Sequence, residues 1–257
     1  MLTFDQLRVY YPANTVISAK NMLVEYIQHE LLDSLFKQEQ GRYLSFIGGT
    51  ALRIVYGGSR FSEDLDFDNF GLSYEDFQGL ADAVVDDMRL KGFTVEFRTI
   101  EKGAYHCYVK FPHILQESRL ASDTEEKILV RIDTMEKKRF GMPIVYTLNR
   151  FDIYRNILVN PVDILLSQKL LAILGRKREK GRDFFDVSYL YGMTRPNFEY
   201  MEEMLGISRE ECIARILSRC ETLDFSFLAK DVEPFLMDPS QSARVVDFKR
   251  FITEQFS

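Results

Sequence analysis

The segment that most restricts the fold is Asp64-Leu-Asp-Phe-Asp68, in which charged and apolar residues alternate strictly. Side chains two residues apart on a β-strand lie on the same face, so the alternation predicts a strand with three carboxylates on one face. Leu65 and Phe67 would then point into the core. Carboxylates at this spacing repel one another unless a cation lies between them. The pattern therefore indicates either an exposed acidic edge strand or a site for a hard divalent cation such as Mg²⁺.

A glycine pair lies shortly before this strand. Residues 43–47 predict a short buried strand that ends at Gly48-Gly49, and a helix is predicted from Thr50 to Tyr56. Glycine lets a phosphate approach the backbone closely, and a helix N-terminus offers N–H groups without partners. The turn is therefore typical of phosphate binding. It is equally typical of a tight strand-to-helix connection in which Thr50 caps the helix.

A third carboxylate is expected from another strand. In Ile128-Leu-Val-Arg-Ile-Asp133 the isoleucines and the valine form an apolar face, which leaves Arg131 and Asp133 on the opposite face. Asp133 is the best candidate to join the acidic strand. An aspartate that caps a turn at the end of a strand is the alternative.

The remaining charged motifs lie in a helical region. Lys169 shares the face of a predicted helix, residues 161–174, with apolar side chains, so its ammonium either extends to water or binds a triphosphate. The basic loop Arg176-Lys-Arg-Glu-Lys-Gly-Arg182 is either a solvated linker or a segment that binds phosphates. It runs into Arg182-Asp-Phe-Phe-Asp186, which places two aspartates on one helix face.

Composition excludes several classes of protein. With 46% hydrophobic and 28% charged residues, the 257-residue chain is in the range of ordinary globular proteins. No apolar run is long enough for a membrane span, so no membrane partner is expected. The three widely spaced cysteines and the lack of a visible secretory signal favour the cytoplasm. The net charge of −6 means that any contact with nucleic acid needs a local basic patch.

The order of patterns predicts an α+β protein in three parts. Residues 1–40 are expected to form an N-terminal helical arm. Residues 41–159 are expected to form an α/β core with a mixed sheet. Residues 160–257 are expected to form a helical C-terminal region.

In combination, the motifs resemble the AbiEii/AbiGii-type toxin family. The resemblance rests on Gly48-Gly-Thr-Ala-Leu52, Arg60-Phe-Ser-Glu-Asp-Leu-Asp66, the later strand aspartate, and Lys169 with Arg182-Asp-Phe-Phe-Asp186. Members are nucleotidyltransferase-like proteins of the DNA polymerase β superfamily, and many are the toxin of a bacterial or phage-defence toxin–antitoxin pair. The resemblance implies a polymerase β-like nucleotidyltransferase core and a helical C-terminal region that completes the NTP site.

The resemblance also implies roles for individual residues. Asp64, Asp66 and Asp133 are expected to bind Mg²⁺ or Mn²⁺, and these three with Lys169 and Asp186 make up the expected catalytic set. The residues expected to bind the NTP are Gly48, Gly49, Thr50, Arg60, Ser62, Lys169 and Arg182.

The expected function is metal-dependent transfer of a nucleotide from an NTP to an acceptor hydroxyl. The resemblance implies tRNA as the acceptor and an antitoxin protein as a partner. Two alternatives remain open at this point. The same site would also suit phosphoryl transfer or nucleotidylation of a protein, and an NTP-binding regulatory module without turnover would carry similar motifs.

Overall fold

Contacts between residues divide the chain into two units. The structure is a computed structural model that describes residues 1–11, 18–118, 120 and 127–256. The first unit comprises Met1–Ala51 and Ser62–Val159, and the second comprises Leu52–Phe61 and Asn160–Ser257. Residues 12–17 of the predicted N-terminal arm lie outside the described residues.

The first unit is built on a seven-stranded mixed sheet. Its strands are β1 (Leu44–Ile47), β2 (Leu65–Asn69), β3 (Glu96–Glu101), β4 (Tyr105–Phe111), β5 (Ile128–Glu136), β6 (Ile144–Arg150) and β7 (Ile153–Val159). The order across the sheet is β3-β4-β5-β2-β1-β7-β6. The acidic strand β2 therefore lies inside the sheet, antiparallel to β1 and parallel to β5, and the edge-strand interpretation of its alternation is wrong.

Helices cover the sheet of the first unit. They are α1 (Phe4–Arg8), α2 (Ala19–Phe36), the start of α3 (Gly48–Val55), α4 (Tyr74–Leu90) and α5 (Ile114–Glu117). Helix α2 packs against α4 and β7, and Ile27, Leu31 and Leu32 on it are completely buried. Burial of such side chains stabilises the unit by about 1.5–3 kcal/mol each.

The second unit is helical. It contains α6 (Val162–Gly175), α7 (Gly181–Leu190), α8 (Phe198–Leu205), α9 (Arg209–Glu221), α10 (Phe225–Val232), α11 (Ala243–Val246) and α12 (Phe248–Phe256). Helix α7 packs against α6 and α10. The first residue of α7 must be glycine, because a Cβ at Gly181 would lie 1.9 Å from the backbone oxygen of Leu228.

The predicted fold class is confirmed, since a mixed sheet is combined with many helices and a helical C-terminal region. Helix α3 begins at Gly48, two residues earlier than predicted, so both glycines belong to its first turn. Helices α1 and α10 lie within the predicted N-terminal arm and the predicted helical C-terminal region. Within the described ranges, none of the helices is both long and apolar enough to cross a membrane.

Candidate active site

Gly48 lies directly against the carboxylate of Asp66. The backbone of Gly48 has φ +77°, and a Cβ added there would lie 2.4 Å from Oδ2 of Asp66. Any other residue would therefore need both a strained backbone and a displaced carboxylate. In the same turn the hydroxyl of Thr50, which is fully buried, donates a hydrogen bond to the backbone oxygen of Asp64. The Gly-Gly-Thr segment thus positions the acidic strand.

Strand register brings the predicted carboxylates onto neighbouring strands. The parallel pairing of β2 with β5 sets Asp66 opposite Asp133. The antiparallel pairing of β4 with β5 sets His106 opposite Asp133. Because paired residues on adjacent strands share a face, His106, Asp133 and Asp66 form one row across three strands.

Arg131 bridges two of the carboxylates. Its Nη2 donates a hydrogen bond to Oδ2 of Asp64 at 2.9 Å, and its Nε lies 2.8 Å from Oδ2 of Asp133. Nδ1 of His106 lies 2.7 Å from Oδ1 of Asp133, so each oxygen of Asp133 faces another side chain. Burial lowers the pKa of the Arg131 guanidinium, but the charges of Asp64, Asp133 and Asp66 outweigh burial and raise it. Arg131 is therefore a permanent cation among the carboxylates.

The donor chemistry of this cluster fits a divalent cation. Among the residues that the structure describes, no three His, Cys, Asp or Glu side chains are arranged to hold a metal ion. Asp64, Asp66 and Asp133 nevertheless offer the hard oxygen ligands that Mg²⁺ and Mn²⁺ prefer. A guanidinium already lies between two of them, which shows that the cluster accommodates positive charge.

Three of the predicted residues form a buried ion-pair network in the second unit. Nε and Nη2 of Arg60 donate to the two oxygens of Asp186, both at 2.6 Å, and each side chain is only 3% exposed. Nζ of Lys169 lies 2.8 Å from Asp186 and 3.1 Å from Asp183. Arg176, the first residue of the basic loop, pairs with Asp183 at 2.7 Å.

The members of this network hold one another in the charged state. Burial raises the pKa of the Asp186 carboxyl, but the charges of Arg60 and Lys169 lower it by more. The pKa is therefore lowered overall. Burial lowers the pKa of the Lys169 ammonium, but Asp186 and Asp183 raise it, and the net shift is upward. The Lys169 ammonium is paired with two carboxylates, and its side chain is 13% exposed.

The other predicted NTP-binding residues have more ordinary surroundings. Gly49 is buried in the first turn of α3. Ser62 is half-buried, and its backbone oxygen accepts a hydrogen bond from Nε2 of Gln28 at 2.8 Å. The guanidinium of Arg182 lies over the ring of Phe235, 5.3 Å from its centre.

Sequence reasoning did not select His106 or Asp183. His106 alternates with the buried Cys107 and Val109, a pattern that places it on the polar face of β4. This alternation was the available signal. It points to Asp133 only once the pairing of β4 with β5 is known. Asp183 lies in the first turn of α7. Its ion pairs with Lys169 and Arg176 come from a different helix and a loop.

The mixed sheet presents aspartates beside a Gly-Gly-Thr helix start, as the resemblance to nucleotidyltransferases predicted. A family model described as "Nucleotidyl transferase AbiEii toxin, Type IV TA system" matches residues 30–255. The chain belongs to this family of toxin–antitoxin nucleotidyltransferases, as its motifs predicted.

Solved structures are similar in fold. The crystal structure of JHP933 from Helicobacter pylori is 17% identical, with a TM-score of 0.57 over 93% of this chain and 94% of that chain. A candidate nucleotidyltransferase from H. pylori is also 17% identical, with a TM-score of 0.57 over 93% of this chain and 97% of that chain. A comparison with curated proteins finds no match to the sequence.

Proposed function

We propose that this nucleotidyltransferase requires Mg²⁺ or Mn²⁺ and transfers a nucleotide from an NTP to a hydroxyl group of RNA, with tRNA as the expected acceptor. In this proposal it acts as the toxin of a toxin–antitoxin or phage-defence system and is restrained by an antitoxin protein. The observation that carries the chemistry is the register that sets Asp133 beside Asp66 and brings Arg131 to Asp64. Membership of the family supports the proposed role as a toxin with an antitoxin partner.

The residues of the first unit would bind the ions and the phosphates. Asp64, Asp66 and Asp133 would hold the divalent cations. When bound, these cations would favour ionisation of the acceptor hydroxyl and neutralise charge on the departing pyrophosphate. In the transfer, the acceptor oxygen bonds to the α-phosphorus while the bond from that phosphorus to pyrophosphate breaks. Gly48 and Gly49, in the first turn of α3, would offer backbone N–H groups to phosphate oxygens.

The second unit would contribute positive charge. Lys169 and Arg182 are proposed to act on the triphosphate, and Asp186 to position Lys169 through their 2.8 Å ion pair. In the basic loop, Lys177 and Arg178 are exposed, which gives an acidic chain local positive charge for a polyanionic acceptor. Changing Lys177 and Arg178 to glutamate should reduce the log–log salt slope of RNA binding by roughly 0.7 for each lost phosphate contact. An unchanged affinity and slope would identify the loop as a solvated linker.

Two positions of label distinguish the possible reactions. The purified protein would be incubated with Mg²⁺, total RNA and each NTP in turn, labelled on either the α- or the γ-phosphate. We expect RNA to acquire label from the α-phosphate only. Label from the γ-phosphate would indicate phosphoryl transfer, label on protein would indicate protein nucleotidylation, and binding without transfer would indicate a regulatory module.

A matched pair of variants tests the carboxylates. Asp66→Asn should reduce transfer by about a hundredfold or more, because it removes charge from the proposed cation site. Its circular dichroism spectrum should not change, since neutralising one carboxylate lessens repulsion within the cluster. Asp86→Asn removes an exposed carboxylate from α4 and should leave transfer unchanged. Wild-type turnover in Asp66→Asn would contradict the proposal.

A further inference from the structure

The proposed metal site contains a cation that belongs to the chain itself. Arg131 lies on the same strand as Asp133, two residues before it, and on the same face of the sheet. From there its guanidinium reaches Oδ2 of Asp64 at 2.9 Å and Oδ2 of Asp133 at 2.8 Å. A divalent cation held by Asp64 and Asp133 needs carboxylate oxygens that this guanidinium now contacts. Both cations therefore compete for the same ligands.

The contact with Asp133 is not an ideal hydrogen bond. Nε of Arg131 is buried and lies 2.8 Å from Asp133, yet no acceptor in the described part of the chain is aligned with its N–H. A bidentate Arg–carboxylate pair would have two aligned bonds to one carboxylate, as Arg60 makes with Asp186. The side chain of Arg131 is also 40% exposed, whereas that of Arg60 is 3% exposed. Arg131 thus has a directed hydrogen bond to Asp64 but only an unaligned contact with Asp133, and solvent is available to its side chain when it leaves.

We propose that Arg131 is a built-in counter-ion that the divalent cation displaces. In the metal-free protein the guanidinium neutralises Asp64, just before β2, and Asp133 on β5, and keeps the two carboxylates close despite their repulsion. Loading the cation requires Arg131 to release these oxygens, so Arg131 sets the affinity of the site for metal. This inference rests on the proposed function, because it assigns the cation to the same carboxylates.

Mn²⁺ binding tests the inference without any turnover. The full-length protein would be titrated with Mn²⁺ in the absence of nucleotide, and the electron paramagnetic resonance signal of free Mn²⁺ would be followed. We expect Arg131→Gln to bind Mn²⁺ about tenfold more tightly than the wild type or better, because the competing charge is gone. Arg131→Lys should lie between the two, since a lysine keeps the charge but lacks the fork that bridges two carboxylates.

Arg98→Gln is the matched control for a general effect of charge. Arg98 lies on β3, opposite Tyr108 in the same cross-strand row as Arg131, and its guanidinium stacks on that ring at 5.0 Å. Its loss changes the net charge by the same amount and should alter Mn²⁺ affinity by less than about twofold. Asp66→Asn introduced together with Arg131→Gln should weaken Mn²⁺ binding. This result would show that the tighter binding in Arg131→Gln occurs at the carboxylates of the proposed metal site.

The outcomes separate this inference from the proposed function. Tighter Mn²⁺ binding in Arg131→Gln, with no NTP transfer by the wild type, would support the counter-ion and count against the nucleotidyltransfer proposal. Should Arg131→Gln fail to fold by circular dichroism, tighter binding in Arg131→Lys supports the counter-ion. Unchanged or weaker Mn²⁺ affinity in the folded Arg131 variants, or an equal gain in Arg98→Gln, would overturn it.

Discussion

Replacing Asp186 with asparagine tests whether the buried network of the second unit is structural. Asp186 accepts two hydrogen bonds from Arg60 and lies 2.8 Å from the ammonium of Lys169. Asparagine keeps the shape of the side chain but removes the charge. The guanidinium of Arg60, 3% exposed, would then have lost its carboxylate partner.

The expected loss of stability follows from this burial. Removing one partner of a buried ion pair costs about 3–5 kcal/mol, because the remaining buried charge loses the opposite charge that compensated its desolvation. Lys169 still has Asp183 at 3.1 Å, so the loss falls mainly on Arg60 and the same range applies. The exposed pair of Arg215 with Glu211 on α9 is the control. Glu211→Gln should change the free energy of unfolding by only about 0.3–0.5 kcal/mol.

Urea unfolding at pH 7, followed by far-ultraviolet circular dichroism, measures both variants. Nucleotidyl transfer would be measured on the same preparations in the absence of urea. An Asp186→Asn protein whose free energy of unfolding stays within about 1 kcal/mol of the wild type would refute the structural reasoning. If its transfer were lost as well, Asp186 would act by positioning Lys169, as proposed above, and not by stabilising the unit.

The pH dependence of stability supplies an independent check. The pKa of Asp186 is lowered on folding, so its stabilising charge is fully present above the ordinary carboxyl value of 3.8 and is lost as pH falls through the folded-state pKa. The pKa of Lys169 is raised, so its contribution is present below 10.5 and is lost as pH rises through its folded-state pKa. The difference in stability between wild type and Asp186→Asn should therefore be constant near neutrality and shrink in acid.

Three further predictions concern close packing. Gly48→Ala should sharply reduce transfer, because the added Cβ would lie 2.4 Å from Oδ2 of Asp66. Gly79→Ala in α4 is the control, since its added Cβ would meet no atom within 4 Å and the protein should fold and function normally. The transfer assay compares the two variants. Gly181→Ala should lower the melting temperature, because its Cβ would lie 1.9 Å from a backbone oxygen of α10, and an unchanged melting temperature would mean that α10 moves freely. Burial, followed by the charge of Asp82, raises the pKa of Cys107 to about 12, so a disulfide reagent at pH 8 should modify it only after unfolding; rapid reaction with the native protein would contradict its burial.

Local pattern alone was enough to determine which face of each strand carries chemistry. The alternation around Leu65 and Phe67 assigned the aspartates of β2 to one face, and the same reasoning placed Arg131 with Asp133 on β5. Such inferences succeed because the side-chain period of a strand is a property of its backbone and needs no partner. The Gly-Gly-Thr helix start could also be predicted locally, because the backbone conformations open to glycine do not depend on distant residues.

Only the tertiary structure decided which of these faces meet. It placed β2 inside the sheet next to β5, so that Arg131 reaches Asp64, a residue 67 positions away. It also joined Arg60 to Asp186 across 126 positions and turned Lys169 toward two carboxylates. Residues this far apart meet only when strand register and helix packing are settled, and these depend on the combined burial of many side chains along the chain. The spacing of residues within one segment does not depend on this combined burial and therefore cannot predict such contacts.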